Sequence, residues 1–466
     1  MSAVYGPGMT EMGRVLGRTA EIAAAYLAGL DERDVFPTGT SQELLDGLGG
    51  PLQPGPIDPT TVIEELAAAL DSGLVANAGG RYFGFVTGGA VPASVAADWL
   101  TAAWDQNAFS FVSSPAASVV EEVAANWVRD LLRLPESVST AFVTGCQMAH
   151  VTCLAAARQA VLDAVGWDVG TSGLGGAPRI RVVTGEKRHV TVDRAVRLLG
   201  IGSDALELVA VDRAARMIPE CLSDVLSAGE GPVIVVAQAG EVNTGSFDPL
   251  GATIDVARDH GAWVHVDGAF GIWARVSAEL SEKVDRLEDA DSWAFDAHKW
   301  LNVPYDCGIA MCAHPDAHRA AMLYAAAYLM PTSAERDACD WTPDASRRAR
   351  GIAVYAALRS LGSEGVAAIV DRCCRHARGF AARVGALPGA VILNDVELNQ
   401  VLFRFSDDET TERVLNRVQR SGAAWMSGTT WEDRAAVRVS ISNWATTDED
   451  IARTVEAFRT AVEEAG

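Results

Sequence analysis

Between residues 139 and 312 the chain repeats one pattern: a short, almost uninterrupted apolar run, then a stretch with helical spacing. The runs are Thr140–Val143, Ile180–Val183, Leu206–Val211, Val233–Ala237, Ala262–Val266, Trp293–Phe295 and Gly308–Met311. A strand with one wet face alternates apolar and polar residues, whereas a strand that is apolar throughout is covered on both faces. Runs of this kind, separated by helix-length segments, predict an α/β fold with a mostly parallel, seven-stranded sheet and helical crossovers. Ligands of such sheets sit beyond the C-terminal ends of the strands. The chain places its most reactive residues there. Ala262–Val266 delivers Asp267, within His265-Val266-Asp267-Gly268-Ala269-Phe270, and Trp293–Phe295 leads into Asp296-Ala297-His298-Lys299-Trp300.

An acid and a lysine delivered this way suit pyridoxal 5'-phosphate (PLP). The lysine can form an imine with the cofactor aldehyde, and the carboxylate can keep the pyridine nitrogen protonated so that the ring takes up electrons. Desolvation beside a cofactor is expected to lower the proton affinity of Lys299. Taken singly, Asp267 could close an Asx turn and Lys299 could be a surface lysine; the apolar runs before both favour the site. Thr144-Gly145-Cys146-Gln147-Met148-Ala149-His150 follows the first run and opens a helix. Glycine there allows close approach, and the first N–H groups of a helix suit a phosphate. The Lys-Ser/Thr ending of a Walker motif is missing. His189, after the second run, can stack on a pyridine ring, although a lone histidine in such a place is more often a cap. His150, His265, His298 and Cys146 have spacings that fit no zinc pattern, so no metal is expected.

At 466 residues the chain has room for two or three domains. Three segments are expected: a helical arm over 1–75, a large PLP-binding α/β domain over 76–345, and a small α+β domain over 346–466. Within the last, strands are expected at Val391–Leu393, Val401–Phe405 and Val437–Ile441, and Thr447 with Asp450 predicts the cap of a final helix. The net charge of −23 argues against nucleic-acid or anionic-membrane surfaces. No apolar run reaches the roughly 18 residues of a membrane span. The first residues lack the basic and apolar regions of a secretory signal. Eight cysteines without a C-x-x-C pair read as reduced thiols, and a cytoplasmic location is expected.

Together these motifs resemble the PLP-dependent group II decarboxylases, relatives of aromatic amino-acid, glutamate and diaminobutyrate decarboxylases with the aspartate-aminotransferase fold (PLP-dependent transferase fold type I). The resemblance runs through Tyr82-Phe83-Gly84-Phe85, Ser114-Pro115-Ala116, Thr144-Gly145, His189, His265-Val266-Asp267, His298-Lys299-Trp300-Leu301, Asp306-Cys307 and Ser346–Arg350. It implies that Lys299 is the Schiff-base lysine and Asp267 the pyridinium partner. It sets Ala269 against the ring, with His189 stacked on the other face. Gly145, Cys146, Gln147 and His298 would hold the phosphate, with Asn243 a further cofactor contact. Relatives often show Ser-Glu-Ala-Asn where this chain has Gln147-Met148-Ala149-His150, so the usual serine hydroxyl is absent. Tyr328 falls where relatives place a loop tyrosine that protonates the α-carbon. Phe85, Val86 and Phe109 fall where substrate is contacted, Phe109 toward the partner subunit's site in a homodimer. Their apolar character implies an L-amino acid with an apolar or aromatic side chain. A decarboxylation-coupled oxidative deaminase, a β-eliminating C–S lyase and an aminotransferase are the rival chemistries. A non-catalytic PLP-binding regulator is disfavoured, because this acidic chain shows no basic DNA-binding segment.

Overall fold

A computed structural model describes residues 8–323 and 335–464. Its large sheet has seven strands: β1 (Ser139–Val143), β2 (Arg181–Gly185), β3 (Leu206–Val209), β4 (Val233–Gln238), β5 (Trp263–Asp267), β6 (Ser292–Asp296) and β7 (Gly308–Cys312). The spatial order is β1-β7-β6-β5-β4-β2-β3. Strands β3, β2, β4, β5 and β6 pair in parallel, while β7 runs antiparallel to both β6 and β1. The reason for the reversal is local. The chain leaves β6 at Asp296 and returns with Gly308 paired to Asp296, so residues 297–307 form a loop rather than a helical crossover. Lys299 rides on that loop. Every residue of β4, β5, β6 and β7 is buried, as continuous apolar runs require.

The arm comprises α1 (Gly8–Ala28), α2 (Ser41–Leu48) and α3 (Pro59–Leu70). Next come α4 (Pro92–Trp104) and α5 (Pro115–Leu132). Around the sheet lie α6 (Cys146–Asp163), the single turn α7 (Val169–Ser172), α8 (Val190–Leu198), α9 (Pro219–Ser227), α10 (Leu250–Asp259) and α11 (Pro315–Met322). Helix α6 is buried on most of its surface, including His150, Cys153, Leu154, Ala157 and Leu162. It packs across the middle of the sheet, which sets its N-terminus at the strand ends. The run expected over Leu206–Val211 stops as a strand at Val209. Val211 instead bridges to Met217 across a turn in which Asp212 accepts the N–H groups of Ala214 and Arg216.

The C-terminal part opens with α12 (Gly351–Val384), interrupted at Gly362, followed by β8 (Val391–Ile392), β9 (Gln400–Arg404), α13 (Asp408–Arg420), β10 (Ser427–Trp431), β11 (Arg434–Ser440) and α14 (Asp448–Glu463). The four strands form an antiparallel sheet ordered β10-β11-β9-β8. Strand β10 was not foreseen. Among the described helices α12 alone is long and apolar enough to cross a membrane, and it packs Val354, Ala357, Val366, Val370 and Phe380 into the protein core. Helix α14 starts as its sequence requires: Thr447 Oγ1 accepts from Asp450 N at 3.2 Å, and Asp450 Oδ2 accepts from Thr447 N at 2.9 Å. Ile451, Val455 and Phe458 then face the core. We expect Thr447→Ala to cost about 1 kcal/mol through loss of the cap, read as a lowered midpoint in urea denaturation. An unchanged midpoint would mean that the capping box contributes nothing to stability.

Candidate active site

Strand ends and one helix terminus converge on two buried carboxylates. Asp296, at the end of β6, is 2 % exposed. Its Oδ1 accepts the N–H of Cys146, the first residue of α6, at 2.6 Å, and lies 3.4 Å from His298 Nε2. Its Oδ2 lies 3.0 Å from Lys299 Nζ. His298 Nδ1 accepts from Cys307 N at 3.1 Å, so the neutral ring carries its proton on Nε2, toward Asp296. The Tyr305 ring lies 4.3 Å from that of His298. Gly145 and Gly308 let two backbones touch here, since a Cβ on Gly308 would overlap the Gly145 main chain. Gly88 does the same for the carbonyl of Lys299.

Burial alone would push the Lys299 amine down. The adjacent Asp296 more than offsets it and holds the ammonium above its ordinary value. In the chain itself a neighbouring carboxylate outweighs desolvation.

Asp267, at the end of β5, is 4 % exposed. Its Oδ1 accepts from Ala269 N at 3.1 Å, and its Oδ2 lies 3.5 Å from His150 Nε2. Burial would raise this carboxyl, but His150, His189 and the Ala269 N–H together hold it well below the usual carboxylate range. His189 is the N-cap of α8, where Nδ1 meets Thr191 Oγ1 at 2.8 Å; burial pushes its ring below the ordinary imidazole value and the Asp267 charge opposes that shift. Gln147 Nε2 donates to Thr191 O at 3.2 Å, while its buried Oε1 has no partner. Cys146 is buried, with Sγ 3.4 Å from His150 Nε2, and burial keeps the thiol protonated. Cys146, His150 and Asp267 present ligand atoms within 4.8 Å of one another, a closeness that spacing along the chain did not reveal.

The expected residues divide by position. Lys299, His298, Gly145 and Cys146 meet around Asp296. Asp267, Ala269 and His189 meet beside them, with Gln147 linked to Thr191. Asn243 does not join them. Its Nδ2 donates to Glu241 Oε1 and its Oδ1 accepts from Thr429, so its amide ties a turn to β10. Val86 is corrected too: it is 1 % exposed, within the main hydrophobic core, and has no surface to offer a substrate. Phe85 is 59 % exposed, with its ring 5.3 Å from Trp425. Phe109 is half-buried, and its carbonyl accepts from Cys339 N. Tyr328 lies outside the described residues. Asp296 and Tyr305 were the contributors that sequence reading passed over. The signal for Asp296 was its place three residues before the lysine, at a strand end.

The site fits PLP by its donor set. It has one amine, one buried anion for a ring nitrogen, and a glycine-led helix N-terminus.

The comparisons agree with this geometry. The pyridoxal-dependent decarboxylase conserved domain matches residues 52–406. The aromatic-L-amino-acid decarboxylase of Bacillus atrophaeus is 24% identical over 401 residues, covering 82% of this chain and 81% of that one. The phenylacetaldehyde synthase of Arabidopsis thaliana is 26% identical, with 87% and 85% covered. The L-2,4-diaminobutyrate decarboxylase of Rhizobium meliloti (strain 1021) is 28% identical, with 90% and 86% covered. The fold matches that of Oryza sativa TDC solved with PLP and tryptamine, with a TM-score of 0.91 at 22% identity over 99% of both chains.

We expect Asp296→Asn to lower the Lys299 pKa and expose more free amine at neutral pH. The cofactor-free variant should then take up PLP roughly three- to tenfold faster at pH 7, the effect of losing one adjacent charge, followed by visible absorption. Equal rates would show that Asp296 does not set the charge on the amine. With the fold, the two carboxylates and the matched domain in place, the chain belongs to the pyridoxal-dependent decarboxylase family.

Proposed function

We propose that this chain is a PLP-dependent decarboxylase of an L-amino acid with an apolar or aromatic side chain. The observation that carries the reading is the arrival of Lys299 and Asp267 at neighbouring strand ends, beside the N-terminus of α6. PLP, when bound, supplies an aldehyde that condenses with amines and a ring that accepts the electrons released as carbon dioxide leaves. Lys299 is the amine that holds the cofactor, and Asp267 holds a proton at the pyridine nitrogen. His189 and Ala269 flank the ring. The α6 N-terminus, Gln147 and His298 bind the phosphate. Asp296 holds the proton on Lys299 Nζ. Tyr328 delivers a proton to the α-carbon. Phe85 lines the approach for an apolar substrate, and Phe109 serves the partner's site.

The second reading is decarboxylation-coupled oxidative deamination, favoured by the phenylacetaldehyde synthase among the relatives. Incubating PLP-loaded protein with an amino-acid panel, in air and without oxygen, separates the two. We expect carbon dioxide with equal amine, independent of oxygen. Oxygen-dependent ammonia with an aldehyde would sink the decarboxylase reading in favour of the second. Ammonia with a keto acid and no carbon dioxide would replace both with elimination. In Tyr328→Phe we expect amine formation to fall by about 10²–10⁴-fold, the usual worth of a positioned proton donor.

We further propose a homodimer in the cytoplasm. Helices α2 and α3 bury no residue, and Leu45, Leu48, Val62 and Leu66 stand exposed. Trp99, Leu100 and Trp104 of α4 do likewise. Exposed apolar surface on this scale suits a second subunit. The eight cysteines are unpaired, in keeping with a reducing compartment. We expect Leu100→Asp to shift the mass in equilibrium sedimentation from dimer toward monomer; an unchanged mass would place the interface elsewhere.

A further inference from the structure

Behind Asp267, away from Lys299, lies a line of polar groups in an otherwise apolar interior. Asp267 Oδ2 is 3.5 Å from His150 Nε2. His150 Nδ1 is 2.9 Å from His265 Nε2. His265 Nδ1 is 2.9 Å from Ser292 Oγ, which accepts from Trp263 Nε1 at 2.9 Å. His150, His265 and Ser292 are fully buried. None of this is needed to close the sheet, because the backbone ladders of β5 and β6 are complete without it.

The two ends of the line constrain its direction. An indole N–H can only donate, and an ionised carboxylate can only accept. Trp263 therefore donates to Ser292. The serine hydroxyl then sends its own proton to His265 Nδ1, its other partner. A neutral His265 with an acceptor at Nδ1 carries its proton on Nε2 and donates to His150 Nδ1. His150 in turn carries its proton on Nε2, which faces Asp267. The reverse orientation requires a doubly protonated His150, because a singly protonated ring would turn a bare lone pair toward the carboxylate, and His265 would then give its Nδ1 proton to the Ser292 main-chain oxygen. Burial pushes His265 down to about 3, in keeping with a neutral ring. Cys146 Sγ, 3.4 Å from the same Nε2, is at most a weak acceptor that shares this proton.

We propose that His150 is a positioning residue that presents an Nε2–H to Asp267 at the end of a one-way relay from Trp263 through Ser292 and His265. The relay keeps Asp267 ionised and fixed in orientation. Its negative charge is then left to face the pyridine nitrogen. The proposal rests on the reading of the pocket as a PLP site, but its first test does not. Nitrogen-15 spectra of the imidazoles, recorded on the cofactor-free chain with its eight histidines labelled, should show His150 and His265 as neutral Nε2–H tautomers. A proton on Nδ1 of either ring overturns the relay whether or not PLP binds.

The second test is cofactor retention, measured by visible absorption during dialysis. His150→Gln keeps an N–H near the Nε2 position and should hold PLP within a few-fold of the parent chain. His150→Leu should hold it roughly ten- to hundredfold less tightly, the scale of one hydrogen bond to a charged group. Ser292→Ala, which leaves every group facing the cofactor in place, should move His265 to the Nδ1–H tautomer. Thermal melting of each cofactor-free variant separates misfolding from a specific loss. Equal retention by His150→Leu and His150→Gln overturns the proposal, as does an unchanged His265 tautomer in Ser292→Ala. If no variant nor the parent retains PLP, the site reading fails while the tautomers still decide the relay.

Discussion

A single buried carboxylate, that of Asp296, joins the parts of this site. Removing an ionised carboxylate from water costs several kcal/mol unless donors replace the solvent. Asp296 has three: the N–H that opens α6, the His298 ring and the Lys299 ammonium. The end of β6, the start of α6 and the loop 297–307 must therefore stand where they do together. The positive end of the α6 dipole adds to the same attraction. Gly308 makes it geometrically possible, because a side chain there would overlap the Gly145 main chain and hold the strand end and the helix apart.

A second carboxylate lies one strand away, and the two are balanced by different means. Asp296 is matched by a mobile cation on a long side chain, so its partner can leave and return. Asp267 is matched by rings and a backbone N–H that cannot leave, so its charge persists when its neighbours move. A proton-handling amine beside the first and a permanent anion in the second are the two electrostatic roles that PLP chemistry requires. Local arrangement decides this. The net charge of −23 over the whole chain says nothing about it.

How much of this could be read from sequence follows from which interactions are local. The strands β4 to β7 were legible because both of their faces are buried, and unbroken apolar runs have few other uses. The start of α14 was legible because a capping box lies within four residues. Strand β10 was hidden: Ser427-Gly428-Thr429-Thr430-Trp431 has little apolar content, and its hairpin turns at Glu432 and Asp433, both with positive φ, where glycine or asparagine would have signalled it. Val86 looked like a pocket residue beside Phe85, but positive φ at both positions turns one side chain outward and the other into the core. The meeting of Cys146 and His150 with Asp267 joins one helix turn to a residue more than a hundred positions later, and only the sheet order creates it.

The position of Lys299 also belongs to the C-terminal part of the chain. Asn302, fully buried three residues later, accepts from Gly89 N at 2.8 Å and from Trp444 N at 2.9 Å. Its amide nitrogen donates to Trp300 O and to Ser442 O. One side chain thereby fastens the lysine loop to the segment after Tyr82–Phe85 and to the segment that follows β11. An amide with all of these hydrogen bonds made resists displacement, because any shift leaves buried polar groups unpaired. The small sheet is thus more than a lid beside the site. It fixes the loop that carries the amine, so a change in the packing of β11 reaches Lys299 through Asn302 without altering any residue that faces the cofactor.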